Sequence, residues 1–68
     1  MLDVFALTIK NRRKELNITQ PHLADMAGIS VNTLYKIEKG TANPTLAVIS
    51  KLFDILGLEI LISPKKPG

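Results

Sequence analysis

Thr19-Gln20-Pro21-His22-Leu23-Ala24-Asp25-Met26-Ala27-Gly28-Ile29-Ser30-Val31-Asn32-Thr33-Leu34-Tyr35-Lys36-Ile37-Glu38-Lys39-Gly40 is the stretch on which the fold turns. Thr19 and Ser30 are helix-capping residues, because their side-chain oxygens can accept from N–H groups that a first helical turn leaves unpaired. Gln20 and Pro21 then fall in the first turn of a helix, where proline lacks only an N–H that has no partner anyway. Gly28 stands where that helix must end, in the left-handed conformation that glycine tolerates without a Cβ penalty. Ser30 opens the next helix, roughly Val31 to Lys39, and Gly40 closes it. Leu23, Ala24 and Ala27 turn inward on the first helix, and Leu34 and Ile37 on the second. Ile29 plugs the turn between them. Val31, Asn32, Tyr35 and Lys36 are left facing outward.

Outward from this pair, the chain predicts two more helices. Leu2, Phe5, Ala6, Ile9 and Leu16 form one stripe of a helix from about Asp3 to Leu16. Arg13 lies in that stripe, an unusual place for a charge, while Val4 and Leu7 lie on the opposite face. Asn43-Pro44-Thr45 reads as a turn into a further N-cap at Thr45. The helix that follows, about Leu46 to Leu56, carries Leu46, Ile49, Leu52, Phe53 and Leu56 as a wide core stripe, broadened by Val48 and Ile55. Gly57 stops it. Leu58-Glu59-Ile60-Leu61-Ile62 is rich in β-branched residues and framed by Gly57 and Ser63-Pro64, which are strand signals. A lone strand leaves its ladder groups unpaired, so this one is expected to pair with the same strand of a second copy. Leu58, Ile60, Leu61 and Ile62 are its dimerisation residues. The organisation expected is an all-α helical domain over 1–57, a dimerisation strand over 58–62 and a flexible tail over 63–68.

Composition narrows the function classes. A chain of 68 residues holds one small core, and with no cysteine and one histidine it has neither a disulfide nor the usual zinc ligands. His22 carries no metal or catalytic role in this reading. No apolar run approaches the ~18 residues of a membrane span, and Asp3 sits where a signal peptide would want positive charge. A soluble, cytoplasmic protein with no membrane partner is the expectation. No nucleophile–base pair, phosphate-cradling glycine loop or carboxylate pair is visible, so no enzyme activity, no catalytic residue and no cofactor are expected. The formal charge of +3 leans modestly towards polyanions. Lys10, Arg12 and Lys14 read as a solvated basic face of the first helix.

The two central helices, joined through Ala27-Gly28-Ile29-Ser30, make a helix-turn-helix pattern. Ala24 lets the helices approach, Gly28 makes the turn, Ile29 anchors it, and Leu34 with Ile37 pins the second helix, whose other face is free for a DNA major groove. On Arg13, Thr19-Gln20, Leu23-Ala24, Gly28-Ile29-Ser30, Thr33-Leu34, Ile37-Glu38-Lys39-Gly40, Asn43-Pro44 and Leu56-Gly57, residues 5–57 resemble the Cro/repressor-type (xenobiotic-response-element, XRE) helix-turn-helix regulators. The chain departs from the pattern at Pro21, where an acidic residue is common, at His22, and after Gly57, where many relatives continue into a fifth helix. The resemblance implies a four-helix, lambda-repressor-like domain. A strand after such a domain further resembles HipB-type antitoxins, whose strands pair across a dimer.

What this implies is a sequence-specific DNA-binding transcriptional regulator, a repressor acting as a homodimer on a palindromic operator. The alternative implied by the HipB resemblance is an antitoxin that sequesters a HipA-type toxin kinase and autoregulates its operon. Ser30, Val31, Asn32, Tyr35 and Lys36 are the candidate base contacts. Asparagine can pair with adenine, lysine can donate to guanine O6/N7, and valine can pack on a thymine methyl. Gln20, Thr33, Lys39, Thr41 and Asn43 flank that helix and resemble phosphate contacts of the family. A guanidinium inside an apolar stripe needs a carboxylate, and Glu38 is the acid near the end of the third helix. Arg13 and Glu38 are therefore expected to pair, orienting that helix rather than touching DNA.

Overall fold

The computed structural model describes residues 2–65 and contains four helices: α1 (Leu2–Glu15), α2 (Gln20–Ala27), α3 (Val31–Lys39) and α4 (Leu46–Leu56). The side chains of Leu2 and Asp3, and residues 66–68 of the expected tail, lie outside the described part. α2, α3 and α4 open in the same way. Thr19, Ser30 and Thr45 sit in extended backbone and accept hydrogen bonds from the N–H groups of His22, Thr33 and Val48 at 3.2, 3.0 and 3.2 Å. Each such cap contributes about 1 kcal/mol.

The helices also close alike. Gly28 has φ 69°, which lets the Ile29 N–H reach back to the Ala24 carbonyl at 3.0 Å. The N–H groups of Thr41 and Leu58 make the equivalent bonds to Lys36 and Phe53. At the end of α1 the left-handed position is taken by Asn17, φ 55°, with the Ile18 N–H on the Arg13 carbonyl at 3.0 Å. Asparagine is the non-glycine residue that best tolerates this region.

One core joins all four helices: Ile9 of α1, Leu23, Ala24 and Ala27 of α2, Leu34 and Ile37 of α3, and Ile49, Leu52, Phe53 and Leu56 of α4. Phe5 meets Phe53 edge to face at 5.9 Å and ties α1 to α4. Two residues of the expected stripes leave the core. Leu16 is exposed because α1 stops at Glu15 and the chain turns through Asn17, so helical periodicity no longer places it. Leu46 is exposed because it opens α4, beyond the edge of the apolar layer.

The expected C-terminal strand is not formed. Among the described residues no strand is present, and 58–62 follow α4 as an irregular segment. The physical reason is the absence of a ladder partner within one chain. Leu58 makes the only main-chain hydrogen bond of this stretch among the described residues, to the Phe53 carbonyl at 2.8 Å. Leu58 and Ile60 are half-buried against the core, whereas Leu61 and Ile62 are 87 % and 86 % exposed.

Arg12 is not the solvated residue that its sequence position suggests. Its Nε donates to the Leu56 carbonyl at 3.0 Å, satisfying an end group of α4, and its Nη1 lies 3.3 Å from Glu15. The first contact is half-buried and crosses the fold, while the second is exposed and adds little. Arg12→Ala is expected to lower unfolding free energy by about 1–2 kcal/mol, read from urea midpoints, with Glu15→Ala nearly silent.

Candidate nucleic-acid interface

The outward face of α3 presents a run of exposed side chains on a helix capped at both ends. Val31 and Tyr35 are 46 % and 49 % exposed, and Asn32, Thr33, Lys36 and Lys39 are exposed beside them. The opposite face buries Leu34, Ile37 and Glu38. Val31 and Tyr35 lie one turn apart, so an apolar and an aromatic side chain flank the polar Asn32 and Lys36 on one surface. A globular surface does not need these two for solubility. They suit a partner that offers both methyl groups and hydrogen-bonding edges.

Ser30 stands at the start of this face with two local bonds. Its Oγ accepts from the Thr33 N–H at 3.0 Å and lies 2.8 Å from Thr33 Oγ1. Both hydroxyls therefore already serve the first turn of α3. At the other end, Lys39 places its ammonium 5.7 Å from the centre of the Tyr35 ring, a cation–π contact. Thr41 and Asn43 are exposed in the loop after α3, and the Thr41 N–H closes the helix on the Lys36 carbonyl.

Behind the face, an ion pair holds α3 to α1. Arg13 Nε and Nη2 donate to Glu38 Oε2 and Oε1 at 2.7 and 2.9 Å, a fork-to-fork arrangement, and Arg13 Nη1 donates to the Ile18 carbonyl at 2.9 Å. The arginine side chain is 11 % exposed and the glutamate 3 %. The hydrogen bond to Glu38 raises the guanidinium above its ordinary range, against the opposing cost of burial, and the carboxylate charge adds to the rise. Gln20, at the first position of α2, donates its Nε2 to Glu38 Oε1 at 3.1 Å. Three elements thus converge on one carboxylate, and no buried side-chain polar atom among the described residues lacks a partner.

Sequence reasoning placed Gln20 towards a phosphate. In the structure one of its amide hydrogens is committed to Glu38. Lys10 reads from the sequence as part of a solvated basic face, yet it is half-buried and lies three residues before Arg13, on the same side of α1. It lines a shallow cleft with Gln20, Tyr35, Glu38 and Lys39. Among the described residues no group of histidine, cysteine and carboxylate side chains could hold a metal, and no helix is long and apolar enough to cross a membrane.

Comparison with known proteins agrees with this architecture. A helix-turn-helix family profile matches residues 9–62, taking in α2, α3, α4 and the segment after them. A transcriptional regulator of Methanothermobacter thermautotrophicus, named as uncharacterised and of the HTH type, is 37 % identical over 75 % of this chain and 74 % of its own length. The cryptic phage CTXphi transcriptional repressor RstR of Vibrio cholerae is 38 % identical over 76 % of this chain and 46 % of its own. A protein of Aeropyrum pernix, provisionally named an HTH-type transcriptional regulatory protein, is 33 % identical over 96 % of this chain but only 23 % of its own length. The chain thus spans less than half of two of these relatives and about three quarters of the third. With a family match over most of its length, capped helices at the expected turn and an exposed third helix, the chain belongs to the XRE-type helix-turn-helix family of transcriptional regulators.

Proposed function

We propose that this chain represses transcription by binding a palindromic DNA operator as a homodimer, with α3 in the major groove. The exposed face of α3 carries this reading: Val31, Asn32, Tyr35 and Lys36 on a helix capped at both ends and fixed from behind by Leu34, Ile37 and the Arg13–Glu38 pair. A rigid element suits base readout, because bidentate contacts tolerate little displacement. Thr33, Lys39, Thr41, Asn43 and the α2 end at Gln20 flank that face as phosphate contacts, which position the protein without reading sequence. The Vibrio cholerae relative is named a repressor, which supports the sign of regulation.

The test is selection of bound duplexes from a random pool with the full chain. One enriched palindrome is expected, its half-sites roughly 34 Å apart along one face of the duplex. Recovery of no common sequence overturns the reading. Given the selected site, Asn32→Ala and Lys36→Ala are each expected to lose about 1–3 kcal/mol on it and much less on scrambled DNA. Retention of wild-type base preference by both variants places the reading face elsewhere.

The dimer reading rests on residues 58–62. Leu61 and Ile62 project into solvent, and among the described residues only the Leu58 N–H of this stretch makes a main-chain hydrogen bond, which supports a ladder with a second copy. Two-fold pairing also matches a two-fold operator.

A further inference from the structure

We propose that Arg12 is a positioning residue for operator recognition: it holds the exit from α4 and so fixes the spacing between the two DNA-reading helices of the dimer. This rests on the homodimer reading of residues 58–62 and adds a role that the reading does not assign.

The chain leaves α4 through Gly57, φ 69°, directly before the dimerisation segment. Glycine has wide backbone freedom, so left alone this exit is a swivel. Two hydrogen bonds restrain it. The Leu58 N–H closes on the Phe53 carbonyl at 2.8 Å, and Arg12 Nε donates to the Leu56 carbonyl at 3.0 Å. That carbonyl belongs to the planar peptide unit that ends at the Gly57 nitrogen, so a bond to it sets the direction in which the chain departs. Arg12 Nη2 also lies 3.7 Å from where a Cβ on Gly57 would stand, so the guanidinium rests against the swivel itself. Its charge suits the place, because α4 has no basic residue in its last turn and a helix C-terminus favours a cation. The next residue of α1, Arg13, holds α3 through Glu38 at 2.7 and 2.9 Å. Consecutive residues of one helix thus tie the DNA-reading helix to the exit that leads to the partner.

Leverage gives this contact its effect. Five extended residues reach roughly 16 Å. A swing of about 10° over that length moves its far end, and the partner with it, by about 3 Å, close to the ~3.4 Å per base along a strand. A loose exit lets one dimer fit half-sites one base pair closer or further apart, whereas a held exit selects a single separation.

Fluorescence anisotropy tests this on the selected palindrome, on versions with one base pair added or removed between the half-sites, and on a single half-site. Wild type is expected to lose about 10²-fold on either altered spacing, the advantage of simultaneous engagement that wrong geometry forfeits. Arg12→Ala is expected to lose less than about tenfold there, with half-site affinity unchanged and light scattering still reading a dimer. Arg12→Lys, which can still donate to the Leu56 carbonyl, is expected to restore the selectivity. Glu15→Ala removes only the exposed partner of Arg12 and is expected to keep the wild-type profile. Thr45→Ala removes the cap at the other end of α4 and shows what lost stability does by itself. A spacing penalty as steep in Arg12→Ala as in wild type, or one that Thr45→Ala relaxes equally, overturns the assignment. Thermal melts accompany each variant, and Arg12→Met, which keeps an unbranched stem without a donor, takes the same test if Arg12→Ala is unfolded at the assay temperature. If wild type scatters as a monomer and binds one half-site at a time, the dimer reading fails first, and the role of Arg12 with it.

Discussion

Glu38→Ala is expected to remove most of this protein's stability. The carboxylate is 3 % exposed and holds a guanidinium that is 11 % exposed, so its loss leaves Arg13 charged, buried and short of two hydrogen-bond acceptors. Breaking such a pair from one side costs about 3–5 kcal/mol, because the remaining charge keeps its desolvation cost and loses its compensation. A domain of this size has a total stability towards the lower end of the usual range, about 5 kcal/mol. At roughly 4–8 °C per kcal/mol, the melting temperature falls by at least about 12 °C. Glu38→Gln keeps one carbonyl acceptor and the side-chain volume, and is expected to fall between the alanine variant and wild type. Gln20→Ala removes only the third donor at 3.1 Å and is expected to cost about 1 kcal/mol. Circular-dichroism melts of the three variants check the order. A Glu38→Ala protein melting within two degrees or so of wild type would mean that water reaches the pair and screens it.

That ion pair also marks what the sequence made legible. Arg13 stands in an apolar stripe, and the cost of a buried unpaired charge makes a carboxylate partner obligatory, so Glu38 could be named without coordinates. The helix boundaries at Thr19 and Gly28, Ser30 and Gly40, and Thr45 and Gly57 were legible for a different reason. Capping chemistry is local, and each signal sits within one turn of the end it specifies. What escaped was set at a distance or by a helix end. Arg12 finds the Leu56 carbonyl 44 residues away, and nothing near Arg12 announces it. Leu16 and Leu46 obey the helical stripe in sequence but lie where the helix has stopped or only begun, so periodicity assigned them to a core they do not reach. Gln20 was legible as the first residue of α2, not as a donor to Glu38, because that bond depends on how α2 meets α3. The 58–62 segment carries strand chemistry, but a strand is a property of a pair, and one chain supplies only half of it.

If the chain dimerises as proposed, replacing Leu61 and Ile62 together with aspartate is expected to dissociate that homodimer and to lower affinity for the full proposed operator by about 10²–10⁴-fold, while half-site affinity stays unchanged. The choice of residues matters. Leu58 and Ile60 pack against the core of their own chain, so truncation after Gly57 would confound folding with assembly. Leu61 and Ile62 are 87 % and 86 % exposed and contribute nothing comparable to the isolated fold. They also border an apolar groove of about 410 Å³ shared with Val4, Phe5 and Leu46, so pairing there would extend an apolar surface already present on each chain. Burying four such side chains across a two-fold axis yields roughly 6–12 kcal/mol. Association costs roughly 4–15 kcal/mol, so the side chains alone leave the dimer marginal and the main-chain ladder decides it. Aspartate at both positions removes the apolar gain and sets like charges against each other across the axis, which a marginal dimer cannot absorb. Light scattering at concentrations well above micromolar reads the result directly: wild type at twice 7.5 kDa and the variant at 7.5 kDa. A variant that still scatters as a dimer moves the interface to Val4 and Leu7 on the first helix. A wild type that scatters as a monomer means instead that residues 58–62 only cap their own core, and the operator then needs no two-fold symmetry.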